Sequence, residues 1–589
     1  MKRKNRAASA STTSPEGKKK KVASANDPES STSATKAIDY TSSSRVVESL
    51  LAVTDLENFF EETWEKKPHF VKRENADFYG ALFSKKDVES LLKKEEIQFT
   101  EDVSLSRYVE GKTEPLNEEG RVNLKHIKAA GVAVQFHQPD RFKDEVWRLI
   151  ESLETYFRCL VAADAFIFQP GSQGLAPQFD EMETFILQLE GKTKWKLFKP
   201  LQELPQEASP DLELSDLGEP TDEFDMEPGD FLYFPRGTVY FPAPIEDKDH
   251  AVHLAITTFQ ENSWGNMLTS ALSNAVEKAM ESDVEYRRGL PVNLASFMGS
   301  GVNGNETEDL SEQNGDQKTD NEATAVEKEA ANPRTAFNNT LVNLLKGLVR
   351  HLNPDKAVDD MLRDFFGGRL PPYGKGVKKG KKRSAPSEES KIKLLHPDHV
   401  RVLIGDLSEG LAETDGSDEE MSEAGEEAEE EDSEEEASED SEKENEKDSK
   451  KGAKKQKTKK TEKAKETKSK SKRAKSEEED EAKEDEDKVD EDDDDDEGSG
   501  DENEGFENEG GGDEFILVLH SVNNNRASHM MGDKNPCSIL KFPFRYKNAL
   551  RQITSEHDKY IAVNSLQLGE KDRLSLVKSL WDEGLLDME

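Results

Sequence analysis

Cysteine is nearly absent: Cys159 and Cys537 are the two in a chain of 589 residues. Two scattered thiols exclude a zinc site of the Cys-x-x-Cys type and fit a reducing nuclear or cytosolic compartment. Long apolar runs are missing as well. No stretch reaches the ~18 residues a bilayer-spanning helix needs, so no membrane partner is expected. Hydrophobic residues make up 33% of the chain against 35% charged, too few for one continuous globule of this length. Basic residues are outnumbered, 81 against 125, but the imbalance is local. Leu411 to Gly510 holds 45 acidic and 18 basic residues, which is −27 of the total −44 and leaves an ordinary −17 for the rest.

What is present divides the chain. Residues 1–40 are Ser, Thr, Lys and Ala with little to bury, and read as a disordered basic tail. Its Lys2-Arg3-Lys4 and Lys18 to Lys21 clusters have the pattern of a nuclear import signal. Apolar density rises at Val46, and Leu50, Leu51, Leu56, Phe59, Phe60 and Trp64 recur at helical spacing. From Arg158 to Gln260 the pattern turns strand-like: Ala165 to Phe168, Thr184 to Leu187 and Phe231 to Phe234 are short apolar runs set between Gly and Pro turns. Many short strands predict a double-sheet, jelly-roll barrel.

Helices are predicted next. An Asn262 or Ser263 cap precedes Met267, Leu268, Leu272, Ala275 and Met280 on one face. Beyond a polar break, Phe337, Leu341, Leu344, Leu345, Val349 and Leu352 repeat the helical pattern until Pro371-Pro372. Two acidic blocks flank a Lys-rich stretch from Lys447 to Lys475, a low-complexity insert expected to be disordered. Ser417, Ser422, Ser433 and Ser438 sit among its acids, a setting for acid-directed kinases or simply a solvated spacer. Structure resumes at Phe515 to Leu519 as a strand and ends with Leu574, Val577, Leu580 and Trp581 on one side of a helix.

Two segments carry chemistry. One is Gly171 to Asp180, followed by Glu181 to Lys196 with Gly191 and Trp195 inside it; the other is Glu227-Pro-Gly-Asp-Phe-Leu-Tyr-Phe-Pro-Arg-Gly-Thr-Val-Tyr240. Together they resemble the Jumonji-C ribosomal oxygenases, nucleolar proteins regarded as protein histidine hydroxylases and histone lysine demethylases. Phe59 to Pro68, Tyr286 to Pro291 and Asp572 to Trp581 extend the resemblance from about Val46 to Leu586, apart from the inserts.

The resemblance implies an α+β chain with a double-stranded β-helix (cupin or jelly-roll) barrel over residues 45–261 and a helical dimerisation domain over 262–372, with a disordered insert at about 300–333. A winged-helix domain is implied over 385–410 plus 514–589, interrupted by the disordered insert 411–513. It further implies Fe(II) and 2-oxoglutarate as cofactors, a homodimer, and a basic nuclear client such as a ribosomal protein or a histone.

In that family iron sits on a His-x-Asp pair and a distal His, the facial-triad logic. Here these positions hold Gln178, Asp180 and Tyr240. A Gln amide is a weak ligand, and Tyr must lose a proton with a pKa of about 10 before it binds well. The family's 2-oxoglutarate lysine falls on Thr193, between Lys192 and Lys194, which a strand would turn to the opposite face. The expectation is an oxygenase-like protein with impaired activity; a non-catalytic nucleolar or chromatin binder and an acidic histone-chaperone-like binder stay open beside it. The Lys-rich stretch leaves nucleic acid open as a partner.

Other candidates read as structural. His250 and His253 lie three apart in a predicted strand and so face opposite sides, and His396 and His399 are separated by Pro397. Cys159 reads as a core residue and Arg236 as a surface arginine.

Overall fold

The computed structural model describes residues 37–172, 174–244, 249–299, 332–374, 385–406, 514–531 and 537–589. The disorder expected for the basic tail, for the insert near 300–333 and for 411–513 lies outside these residues, apart from a few at the margins.

The N-terminal apolar run forms two helices, Ser43–Leu51 and Leu56–Glu62, each capped by a side-chain oxygen, from Ser42 and Asp55 respectively. Ala52 breaks the run by adopting left-handed backbone at φ 52°. Eleven strands follow as β1 (His69–Val71), β2 (Val103–Val109), β3 (Lys112–Pro115), β4 (Ala133–His137), β5 (Val161–Phe168), β6 (Glu183–Glu190), β7 (Thr193–Phe198), β8 (Asp222–Met226), β9 (Phe231–Phe234), β10 (Val239–Pro244) and β11 (Ala251–Thr258). They build an eight-stranded sheet in the order β1-β9-β6-β11-β5-β4-β2-β3 and a three-stranded sheet β10-β7-β8.

One core joins the outer face of the large sheet to the N-terminal helices and to the Asp144–Phe157 helix, which buries Val146, Leu149, Ile150 and Leu153. A second core lies between the sheets, where Ile186, Leu232 and Phe234 meet Trp195, Leu197 and Tyr240. β6 is buried along both faces, which explains why its Thr-Phe-Ile-Leu run does not alternate.

The helical region packs through small residues. Ser263, not Asn262, caps the Trp264–Ser282 helix, with Asn266 completing a reciprocal capping box. Its buried face is Ala271, Ala275 and Ala279, packed against Leu348, whereas Leu268, Leu272 and Met280 face outward. Small side chains let the helices approach closely, so alanines took the inner stripe and the larger residues were left outside. The second helical run is also two pieces. Pro333–Leu348 ends before Asn353 caps a further helix, Pro354–Gly368, with its proline at the first turn.

The C-terminal part adds β12 (Lys391–Leu394), β13 (Val400–Asp406), β14 (Glu514–His520), β15 (Ser538–Pro543), β16 (Ile561–Ala562) and β17 (Leu586–Met588), with helices Lys547–Ser555 and Glu570–Asp582. Its sheets are β16-β12-β17 and β13-β14-β15. β13 and β14 pair antiparallel, with Asp406 opposite Glu514.

This part is tied to the Asp144–Phe157 helix by buried charge. His529 lies between Asp140 and Glu154 at 2.9 and 3.0 Å. His399 donates to or accepts from Ser521 at 2.7 Å and meets Glu151 at 2.8 Å, while the buried Arg369 bonds the Asp398 carbonyl and Thr155.

Candidate functional site

The three positions matched to the family's iron ligands come together because of the backbone. Gln178 and Tyr240 form an isolated antiparallel bridge, Gln178 N–H to Tyr240 O at 3.2 Å and Tyr240 N–H to Gln178 O at 2.8 Å. Directly opposed residues in such a pair present their side chains on the same face. Asp180 is anchored two residues on, where its carbonyl accepts the Gly237 N–H at 2.9 Å.

The side chains then satisfy one another. The Gln178 amide donates to the Tyr240 hydroxyl at 2.8 Å, and that hydroxyl donates to Asp180 Oδ2 at 2.7 Å. Burial, with the Asp180 charge beside it, holds the Tyr240 phenol well above its ordinary pKa, so it keeps its proton. Burial also raises Asp180; the Tyr240 hydrogen bond opposes this and the nearby Glu181 and Asp164 add to it. This donor set, one amide, one protonated phenol and one carboxylate, does not match two imidazoles and a carboxylate. Among the described residues no group of three His, Cys, Asp or Glu side chains converges as a metal site.

The cosubstrate position differs in the same direction. Gly191, at φ 63°, turns β6 into β7 where a Cβ would sit 2.2 Å from the His250 carbonyl, and this sets the register of the following strand. Thr193, Trp195 and Leu197 consequently point inward, and the Thr193 hydroxyl is buried with no partner. Lys192 reaches Glu227 at 2.5 Å and Lys194 reaches Asp225 at 2.6 Å on the outer side. The cavity between the sheets, about 490 Å³, is lined by Asp164, Asp180, Asp211, Gln178, Tyr240, Trp195 and His253 among others, and among the described residues no Lys or Arg lines it.

His253 sits on the cavity wall, stacked on Phe166 at 5.1 Å and edge-on to Trp195 at 5.2 Å. Burial pushes its pKa down to about 3, so the ring is neutral. His250 faces the other way and pairs with Glu190 at 2.8 Å. His396 caps a turn of 3-10 helix, Pro397–His399, whose last residue His399 is buried. Cys159 is a core residue whose thiol meets Thr258 at 3.1 Å. Arg236 is not a surface arginine: it is mostly buried, bonded to Glu65 at 2.6 Å beside Glu183. Burial raises Glu183 to about 7, against the pull of the Tyr233 hydroxyl and Arg236.

Asp164 was not foreseen. As the one charged residue in the apolar strand Val161–Phe168 it gave a signal; it accepts from Gln135 at 3.0 Å and meets His137 at 3.2 Å.

Comparison with known proteins places this site in a family. Residues 135–267 match the JmjC domain model. The chain is 29% identical to ribosomal oxygenase 2 of Bos taurus over 94% of its own length and 93% of that protein. It is 35% identical to ribosomal oxygenase 2 of Rattus norvegicus, covering 62% of this chain and 74% of that one. The chain belongs to the ribosomal oxygenase family. Ribosomal oxygenase 1 of Homo sapiens is 34% identical over 56% of this chain and 48% of its own. A solved ribosomal oxygenase of Escherichia coli aligns with a TM-score of 0.33 at 15% identity, over 59% of this chain and 81% of that one. The cupin-like JmjC barrel of this family member brings Gln178, Tyr240 and Asp180 together and holds Thr193 on the inward face of β7.

Proposed function

We propose that this chain is a nuclear, nucleolar ribosomal oxygenase homologue that binds a basic client protein without turning over 2-oxoglutarate. The observation that carries this reading is the Gln178–Tyr240–Asp180 hydrogen-bonded chain at the three ligand positions. An iron ion there would have to strip Tyr240 of a proton that burial and Asp180 hold in place, and would gain only one strong ligand in return. 2-Oxoglutarate, a dianion, would enter a cavity lined by three aspartates and, among the described residues, by no Lys or Arg. The expected result for the purified full chain after anaerobic loading with Fe(II) is less than a tenth of an equivalent of tightly held iron, and no succinate release above a protein-free control. Stoichiometric iron together with succinate production would overturn it.

The reading includes a homodimer. Trp264, Leu268, Leu272, Val276 and Met280 recur every four residues along the Trp264–Ser282 helix and are each at least 39% exposed. Such a line is a seam for a second helix. Light scattering on the full chain should give twice the monomer mass, and Leu268→Glu with Leu272→Glu should give the monomer mass. Losing two leucines from a seam removes about 3 kcal/mol or more of apolar burial. A wild-type monomer would refute the pairing. For the two C-terminal sheets and helices a winged-helix role in client docking is part of the same proposal.

A further inference from the structure

We propose that Ser104, His137 and Asp164 form a serine-nucleophile triad on β2, β4 and β5, and that it hydrolyses small carboxylic esters without iron or 2-oxoglutarate. None of the three is among the ligand or cosubstrate positions, so the proposal does not depend on what those positions bind.

The triad assembles from strand register. β4 pairs with β5 so that His137 lies directly opposite Asp164, and β2 pairs with β4 so that Ser104 lies opposite Gln135. Opposed positions share a face, as do positions two apart along a strand, which places all four side chains together. Ser104, Gln135 and Asp164 line the cavity.

The hydrogen bonds run in one direction. Asp164 meets His137 Nδ1 through Oδ1 at 3.2 Å and accepts from Gln135 Nε2 through Oδ2 at 3.0 Å, so the carboxylate is held at both oxygens. A carboxylate only accepts, which puts the imidazole proton on Nδ1 and leaves Nε2 with a lone pair. That Nε2 lies 2.9 Å from the Ser104 hydroxyl, which then donates to it. Acid to Nδ1 and Nε2 to hydroxyl is the order that turns a serine into a nucleophile, and it is recognised by geometry rather than by chain order. The His137 backbone is fixed as well, its N–H donating to the Asp102 carbonyl at 2.8 Å. The His137 and Asp164 side chains keep 19% and 28% of their surface exposed, so water, the second reactant, can reach them.

The chemistry is acyl transfer to water. Ser104 Oγ attacks the ester carbonyl carbon while His137 Nε2 takes the hydroxyl proton. As the bond from carbon to the leaving oxygen breaks, Nε2 hands that proton to the departing alcohol, and the acyl group stays on Ser104. A water molecule then attacks the acyl carbon, Nε2 passes one of its protons to Ser104 Oγ, and the carboxylic acid leaves. Asp164 and Gln135 are positioning residues, acting through the imidazole. Asn117 lines the same cavity, and its Oδ1 accepts the N–H of Leu105, the residue after Ser104, at 2.7 Å; its amide N–H₂ is the donor type that binds an oxyanion. Phe166, two residues beyond Asp164 on β5, and Leu175 give the acyl chain an apolar wall.

The test uses the full-length protein in excess chelator with no 2-oxoglutarate. It is treated with a fluorophosphonate probe and mapped by peptide mass spectrometry, and its hydrolysis of p-nitrophenyl acetate and p-nitrophenyl butyrate is followed. The probe should label Ser104, and Ser104→Ala should remove the label and bring ester hydrolysis down to the protein-free rate. Ser106→Ala, a change at the neighbouring serine on the same strand and cavity wall, should leave both as they are. His137→Gln and Asp164→Asn should each lower kcat by about a hundredfold or more while KM stays within about twofold, because they remove proton transfer and its orientation and not ester binding. A hydrogen-bonded ladder that merely stiffens the sheet would shift melting temperatures and leave kcat alone. A wild type that the probe does not label at Ser104, a Ser104→Ala variant that hydrolyses ester at the wild-type rate, or an Asp164→Asn variant with unchanged kcat would overturn the proposal. Labelling of the wild type decides the point even where a variant fails to fold.

Discussion

Replacing His529 with alanine is expected to lower the unfolding free energy of the folded chain by about 3–5 kcal/mol, the range seen when one partner of a buried ion pair is removed. His529 is 1% exposed and lies between two carboxylates that are fully buried, Asp140 at Nδ1 and Glu154 at Nε2. Glu154 also accepts the Leu370 N–H at 2.9 Å, so it cannot turn to water without breaking a second contact. The alanine variant would leave two buried carboxylates facing a void.

The pH dependence has a definite sign. Burial opposes the imidazolium, but Asp140 and Glu154 outweigh it and raise the pKa to about 10, above the ordinary value near 6.5. A raised folded-state pKa means the contribution is complete below about 6.5, declines as pH climbs, and is gone above about 10. Denaturant midpoints measured from pH 6 to pH 10 should therefore fall for the wild type and change much less for His529→Ala. A variant within 1 kcal/mol of the wild type at pH 7, or parallel pH profiles, would show that the triad is not ionised as described.

That triad also shows where sequence reading stopped. Its members are 375 and 389 residues apart, and no local pattern distinguishes a histidine in a polar loop from one that closes a buried junction. Arg236 failed for the same reason: its partner Glu65 is 171 residues upstream, so an arginine at a strand turn looked like a surface residue. The helix after Ser263 was legible, but not the face by which it packs. Leucine and methionine at helical spacing were visible as one apolar face together with Ala275, yet the contact within the chain is carried by alanines four apart, because helix approach is decided by the smallest side chains and not by the most hydrophobic ones.

What was legible was whatever the backbone itself encodes. Gly and Pro turns fixed the short strands, and the alternation of β7 put Thr193 inward and the two lysines outward. The register of Gln178 against Tyr240 depends on main-chain pairing, so these positions assemble whichever side chains they carry.

Because that scaffold is intact, Gln178→His with Tyr240→His is expected to raise bound Fe(II) from a small fraction to about one equivalent. The two imidazoles would project from directly opposed residues toward Asp180, giving the two-His, one-carboxylate set on one face. Space is available: the cavity of about 490 Å³ borders all three positions, and Phe179, the bulky residue between them in sequence, packs away with Phe198 and Val239. The double change also removes the phenol that now ties Asp180 down, freeing Oδ2 as a ligand. Adding Thr193→Lys places a cation on the inward face of β7, where a hydroxyl at present has no partner, and should tighten 2-oxoglutarate binding by about tenfold or more, as expected for a charge-assisted contact in a site of low polarity. Iron stoichiometry, 2-oxoglutarate titration and succinate release for the wild type, double and triple variants separate these effects. Metal should appear in the double variant, and cosubstrate affinity only in the triple. If the double variant, folded by its melting temperature, still binds no iron, then the loss of metal is not explained by Gln178 and Tyr240, and the assignment of these positions falls with it.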